Sequence, residues 1–190
     1  MSYRRNSLKD KTKNNNAQNK KRNDIEMEEA EIKLEKIYKE CKQELKSVGI
    51  KIDDEEKVGK IEIGLSGRSK KRYGVCKQEE PDVKTKYVEK KGKNIIVKYG
   101  KYKKHKIEIS KWVMELNEDI IKNTVVHELI HCMPMCNNHG KEFKLYAEYI
   151  NQKLGYNIKT TGNKKEDYEK SNKEYNEEKN YKYIIKCKNC

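Results

Sequence analysis

A chain of 190 residues has room for one ordinary domain plus tails. Its net charge of +14 and pI near 9.3 favour polyanionic partners (nucleic acid, anionic membrane or acidic protein) without choosing among them. No apolar run approaches the roughly 20 residues that span a bilayer, and Met1 to Lys20 holds no signal-peptide core, which argues against a membrane protein and predicts a soluble, cytoplasmic one whose cysteines are thiols or metal ligands.

Residues 1–24 carry eight Lys or Arg against two Asp and almost nothing apolar, so composition predicts a disordered basic arm. From Ile25 the pattern changes. Ala30, Leu34, Ile37, Tyr38, Cys41, Leu45 and Val48 follow helical spacing, with Gly49 as the stop. Ile61, Ile63 and Leu65 then alternate with polar residues, as do shorter stretches over Tyr73 to Lys77, Asn94 to Tyr99 and His105 to Ser110, which predicts three or four short antiparallel strands. After Trp112 the helical period returns. Asn117 is placed as an N-cap, Glu118 and Asp119 fall in the first turn, and the helix is expected to run to about Met133, where Pro134 and Asn137-Asn138 break it. Lys141 to Leu154 reads as a further helix ended by Gly155. Residues 163–190 form a charged tail that ends in an apolar stretch and the pair Cys187/Cys190.

His127-Glu128-Leu129-Ile130-His131 is an HExxH pattern inside the helix that Asn117 opens. Its two histidines are one turn apart, so both imidazoles project from one face, while Glu128 lies roughly 100° further round, placed as a general base rather than a ligand. A catalytic zinc takes three protein ligands and keeps one position open. His139 is the expected third ligand, returned by a loop that contains Pro134 and Gly140; Glu142 and Glu148 are its rivals.

These residues resemble the SprT-like metallopeptidases, the family of the eukaryotic protease Spartan. The resemblance rests on Thr124 to His131, on Asn138-His139-Gly140 with Phe143 after it, on Leu154 to Ile158, and upstream on Tyr73-Gly74-Val75-Cys76 and Ile107 to Ser110. It covers about 25–161 and implies a metallopeptidase domain over 25–162. The implied fold is α+β, a zincin-like core with a small antiparallel sheet packed on helices and the metal site on a central helix. It also implies one catalytic zinc, hydrolysis of peptide bonds and, for Spartan-like members, cleavage of proteins attached to DNA. Tyr183 to Cys190 resembles the first strand and first cysteine pair of the family's C-terminal zinc ribbon; with one pair in place of two, tight binding of a second zinc at Cys187/Cys190 is not expected.

Outside this set the residues favour plainer roles. Cys132 and Cys136 flank the end of the metal helix and are read as free thiols rather than a second metal site, Cys41 and Cys76 as core packing, and Trp112 and Tyr146 as core rather than cleft residues. His105, among four lysines, is expected on a solvated basic surface. Lys84 to Lys106 holds ten Lys against one Glu, interleaved with Tyr87, Tyr99 and Tyr102, a composition suited to DNA or RNA and equally to a solvated hairpin face. The rival functional reading is a nucleic-acid-binding protein with a structural metal and no hydrolysis. Glu128 weighs against it, as does a ligand set of three histidines without cysteine.

Overall fold

The computed structural model describes residues 4–176. Helix α1 spans Arg4–Ser47, and its second half buries Leu34, Ile37, Tyr38, Cys41 and Leu45 along one stripe before Gly49, at φ +86°, ends it. The stretch expected to be a disordered arm is helical from Arg4. Nothing from residue 1 to 48 is Gly or Pro, so a helix nucleated by its anchored half propagates toward the N-terminus without a second nucleation cost.

Strands β1 (Lys60–Ser66), β2 (Gly74–Pro81) and β5 (Tyr102–Ser110) form one sheet in the order β1-β5-β2. β2 pairs antiparallel with β5 and β1 pairs parallel with it, so the sheet is mixed rather than antiparallel. A parallel pair needs a long crossover. Here residues 67–101 supply it, carrying β2 and a separate hairpin of β3 (Lys86–Lys91) and β4 (Asn94–Tyr99). β3 is exposed along its whole length and so shows no alternating pattern in the sequence.

On β5 the residues alternate: Lys104, Lys106 and Glu108 face out while His105, Ile107 and Ile109 are buried beneath the sheet. His105 is 2 % exposed and not on the basic surface its neighbours suggest, because its parity is that of the isoleucines. The lysines on either side of it lie on the outer face, where Lys104 pairs with Glu62 at 3.3 Å and Lys77 with Glu108 at 2.6 Å.

Helix α2 (Glu118–Ile130) packs against α1, β2, β5 and α3 (Lys141–Leu154). Asn117 caps it by accepting from the Ile120 N–H at 3.0 Å. Ile121, Val125, Val126, Leu129 and Ile130 are all under 3 % exposed, each contributing about 1.5–3 kcal/mol of transfer free energy. Lys122 ties α2 to α1 through Glu40 at 3.2 Å and Glu44 at 3.1 Å. Helix α3 ends at Gly155, at φ +73°, as its sequence predicts. A short helix α4 (Lys164–Lys170) follows, within the stretch expected to be tail, and Tyr168 stacks on Trp112 with ring centroids 5.9 Å apart. Cys187 and Cys190 lie outside the described residues.

Candidate metal centre

Among the described residues, the Nε2 atoms of His127, His131 and His139 converge, His139 lying 2.9 Å from His127 and 3.1 Å from His131. The other ring nitrogen of each helix histidine is spoken for. His127 Nδ1 is 3.0 Å from the Lys159 carbonyl and His131 Nδ1 is 2.7 Å from the Cys136 carbonyl. A carbonyl only accepts, so both Nδ1 atoms carry the proton and both Nε2 atoms present bare lone pairs. One proton on His139 Nε2 can bridge to one of them but not to both. A cation satisfies all three at once, and three nitrogens around a tetrahedral zinc stand about 3.3 Å apart.

Three pieces of chain hold this arrangement. α2 supplies His127 and His131 one turn apart. The loop Pro134 to Asn138 delivers His139, pinned to the end of β4 and the turn after it by the Met135 N–H on the Gly100 carbonyl at 3.0 Å and by Asn137 Nδ2 on the Tyr99 carbonyl at 3.2 Å. Gly140 has an ordinary φ of −73°, so its value there is not the tight reversal its sequence position suggests; a Cβ would stand 2.7 Å from Asn138 Oδ1. The third piece is the segment after α3. Asn151 clamps Ile158 at both backbone groups, at 2.8 and 3.2 Å, and Asn123 accepts from the Asn157 N–H at 2.7 Å, which holds the Lys159 carbonyl against His127. Beneath the three imidazoles lies Phe143, fully buried, with its centroid 4.9, 4.7 and 4.7 Å from those of His127, His131 and His139.

Glu128 is 5 % exposed. Burial pushes its carboxyl up to about 8, with the Cys76 thiol adding to the rise and a hydrogen bond from the Cys76 backbone opposing it. Burial lowers all three histidines, His127 to about 4 with help from the other two imidazoles, so each favours the neutral form that binds metal. His127, Glu128 and His139 open onto a cleft of about 870 Å³, walled by the start of β2 at Arg72 to Gly74 and by the chain from Leu154 to α4. Tyr73 fastens this wall, donating to Asp167 at 2.5 Å and packing on Gly162.

The structure thus brings together His127, His131, His139 and, beside them, Glu128. Neither Glu142 nor Glu148 joins the converging donors. Tyr146 and Trp112 both pack against the core, Tyr146 in a shallow cavity with Val48 and Ile50 away from the cleft. Cys41, Cys132 and Cys136 are buried and, among the described residues, in no disulfide. Sequence reasoning did not single out Asn151 or Asn123, whose spacing to their partners is set by the fold, and it took Gly74 only as part of a strand. It also separated Cys76 and His105, which share one face of the sheet with their donor atoms 3.8 Å apart.

The family model described as SprT-like family matches residues 34–162, from the anchored half of α1 to the wall of the cleft. No curated protein and no solved structure matches the chain. With the family model covering more than half of its length, the chain belongs to the SprT-like family.

Proposed function

We propose that this protein is a zinc-dependent metallopeptidase with a zincin-like core, in which His127, His131 and His139 hold the zinc and Glu128 is the general base. The observation that carries the reading is the meeting of three Nε2 atoms, those of His127 and His131 within 3.1 Å of that of His139, with the Nδ1 protons of His127 and His131 already given to carbonyls. Nitrogen-only donors and an open cleft beside them suit a catalytic zinc, whereas a structural one is usually closed by four ligands that include cysteine. Zinc bound there supplies a Lewis acid that polarises the scissile carbonyl and acidifies water.

The chain's own residues do the rest. Glu128, one position after His127, takes a proton from the attacking water and passes it to the leaving amine. Its burial, with 5 % of the residue exposed, limits competition from bulk water for that proton. The substrate lies extended along the edge of β2, whose first residue, Gly74, borders the cleft with Arg72 and Tyr73 before it, pairing through its backbone so that side-chain selectivity is low. Access then governs specificity, and the basic arm and the Lys84 to Lys106 segment direct cleavage to proteins bound or crosslinked to DNA.

Metal analysis together with cleavage of an unfolded generic protein, with and without DNA, tests this reading. His139→Ala should remove one equivalent of zinc. Glu128→Gln should keep zinc and fold yet lose about 10² to 10⁴ in rate, since the amide preserves shape and removes the base. Near wild-type cleavage by that variant would end the proposal for Glu128, and full zinc in His139→Ala the proposal for the third ligand. A fully zinc-loaded chain that cleaves nothing would favour the rival, a nucleic-acid-binding protein with a structural metal.

A further inference from the structure

α2 separates two clusters of donors. His127 and His131 look toward the cleft, whereas Glu128 and Cys132, also one turn apart, face the sheet. The inward face of β2 follows that stripe residue by residue: Gly74 lies against Glu128, Cys76 against Cys132, and Gln78 Nε2 is 3.4 Å from the His131 carbonyl. His105 joins from β5, in register with Gln78.

Cys76 Sγ is 3.6 Å from Cys132 Sγ and 3.8 Å from His105 Nδ1, and all three donor atoms lie within 4.8 Å of one another. The imidazole is oriented as it is at the first centre. His105 Nε2 is 2.9 Å from the Val58 carbonyl, so that nitrogen carries the proton and Nδ1 turns a bare lone pair toward the sulfurs. Zinc–sulfur bonds of about 2.3 Å and zinc–nitrogen bonds of about 2.0–2.1 Å at tetrahedral angles put such ligand atoms about 3.5–3.8 Å apart. The Cys76–Cys132 and Cys76–His105 separations have that size. His105 and Cys132 are each 2 % exposed, and they come, with Cys76, from three different elements.

We propose that Cys76, His105 and Cys132 form a second metal site, thiolate-rich and buried, that takes zinc(II) and clasps β2 and β5 to the end of α2. The donors set the charge of the ion. Two thiolates cancel a divalent cation, so the complex with a neutral imidazole is uncharged; a monovalent soft ion such as copper(I) would leave a net negative charge buried beside Glu128. Binding releases the two thiol protons. The clasp bears on the reaction through Glu128, whose carboxylate receives a hydrogen bond from the Cys76 backbone, so fixing Cys76 to Cys132 fixes the strand against which the base rests.

The test uses the full chain with Cys187→Ser and Cys190→Ser, which removes the cysteine pair of the tail from the count. Zinc content and the sulfur-to-cobalt charge-transfer absorption of the cobalt(II)-substituted protein are read together. The background protein should bind two zinc ions and show the thiolate band. His139→Ala should bind one and keep the band; Cys132→Ser should bind one and lose it, with Cys76→Ser doing the same if the first variant does not fold. A background protein with no thiolate band, or a band that survives loss of Cys132 and of Cys76, would overturn the second site. One zinc that His139→Ala leaves in place and Cys132→Ser removes would instead sink the histidine centre and uphold this one.

Discussion

Gly74 is pressed against Glu128: a Cβ built on it would lie 2.8 Å from Oε1 and 2.9 Å from Cγ of the glutamate. The glycine is there for the close approach and not for a special backbone angle, since its conformation is that of an ordinary strand residue. Glu128 is almost fully buried, so it has little room to step aside. Gly74→Ala should therefore displace the carboxylate while leaving the three histidines untouched. The expected result is a kcat lower by up to about 10²-fold with zinc content unchanged, because a misplacement near 1 Å can cost that much. An unaltered kcat in a folded, zinc-loaded variant would show that the position of Glu128 is not set by this strand.

Asn151 acts one step further from the candidate metal centre. Its side chain holds Ile158, and with it the Lys159 carbonyl that receives the His127 Nδ1 proton. Asn151→Ala frees that segment, and His127 loses its orienting partner. Loss of such partners typically weakens metal binding by about 10- to 100-fold. Competition with a zinc chelator should detect a loss toward the lower end of that range, while the variant saturated with zinc keeps most of its kcat. If affinity stayed at the wild-type value, the carbonyl would be holding His127 by some other restraint.

Phe143 supports all three imidazoles from below, its ring centroid within 4.9 Å of each of theirs. Truncating a fully buried phenylalanine to alanine costs about 3–5 kcal/mol, enough to unfold a marginal domain, so Phe143→Leu is the informative change. It retains much of the apolar volume but removes the flat floor. Urea unfolding of the metal-free protein should show a modest loss of stability. The zinc off-rate should rise by more than that loss alone explains, and equal effects on both would make Phe143 a packing residue only.

How much of this was legible in the sequence follows from how local each signal is. Helix α2, its Asn117 cap and the stripe from Leu34 to Leu45 rest on residues within a turn or two of one another, and their spacing predicts them correctly. Helix α3 and its Gly155 stop are equally local. The parallel pairing of β1 with β5 is not, because it depends on where a crossover of more than thirty residues returns. His105 shows a subtler failure: four flanking lysines suggested solvent, although its two-residue spacing from Ile107 and Ile109 already put it on their buried face. Parity along a strand outweighs neighbouring charge, since adjacent side chains point to opposite faces. α4 was missed because Lys164 to Lys170 has no apolar stripe, and its hold on the domain comes from Tyr168 on Trp112 and from the Ser171 hydroxyl accepting the Asn117 N–H at 3.0 Å.

The expectation that this chain binds DNA or RNA can now be assigned to particular residues. Within Lys84 to Lys106, Lys98 pairs with Glu89, and Lys104 and Lys106 meet Glu62 and Glu108 on the outer face of the sheet, so their charge is partly neutralised. Lys84, Lys86, Lys90, Lys91 and Lys93 lie on or beside the β3–β4 hairpin. The tyrosines divide in the same way: Tyr99 and Tyr102 pack edge to face at 6.2 Å, whereas Tyr87 on the hairpin is 37 % exposed. With one exposed ring rather than three, base stacking adds little and preference for single strands should be slight. Binding to labelled single- and double-stranded oligonucleotides should weaken steeply with salt and show little sequence dependence, as phosphate contacts do. Changing the five hairpin lysines to glutamine should lower both the affinity and the salt slope, deletion of residues 1–24 should do so again, and changing Lys104 and Lys106 should do neither. No binding at low salt, or binding indifferent to both the hairpin changes and the deletion, would leave the basic charge without a nucleic-acid role.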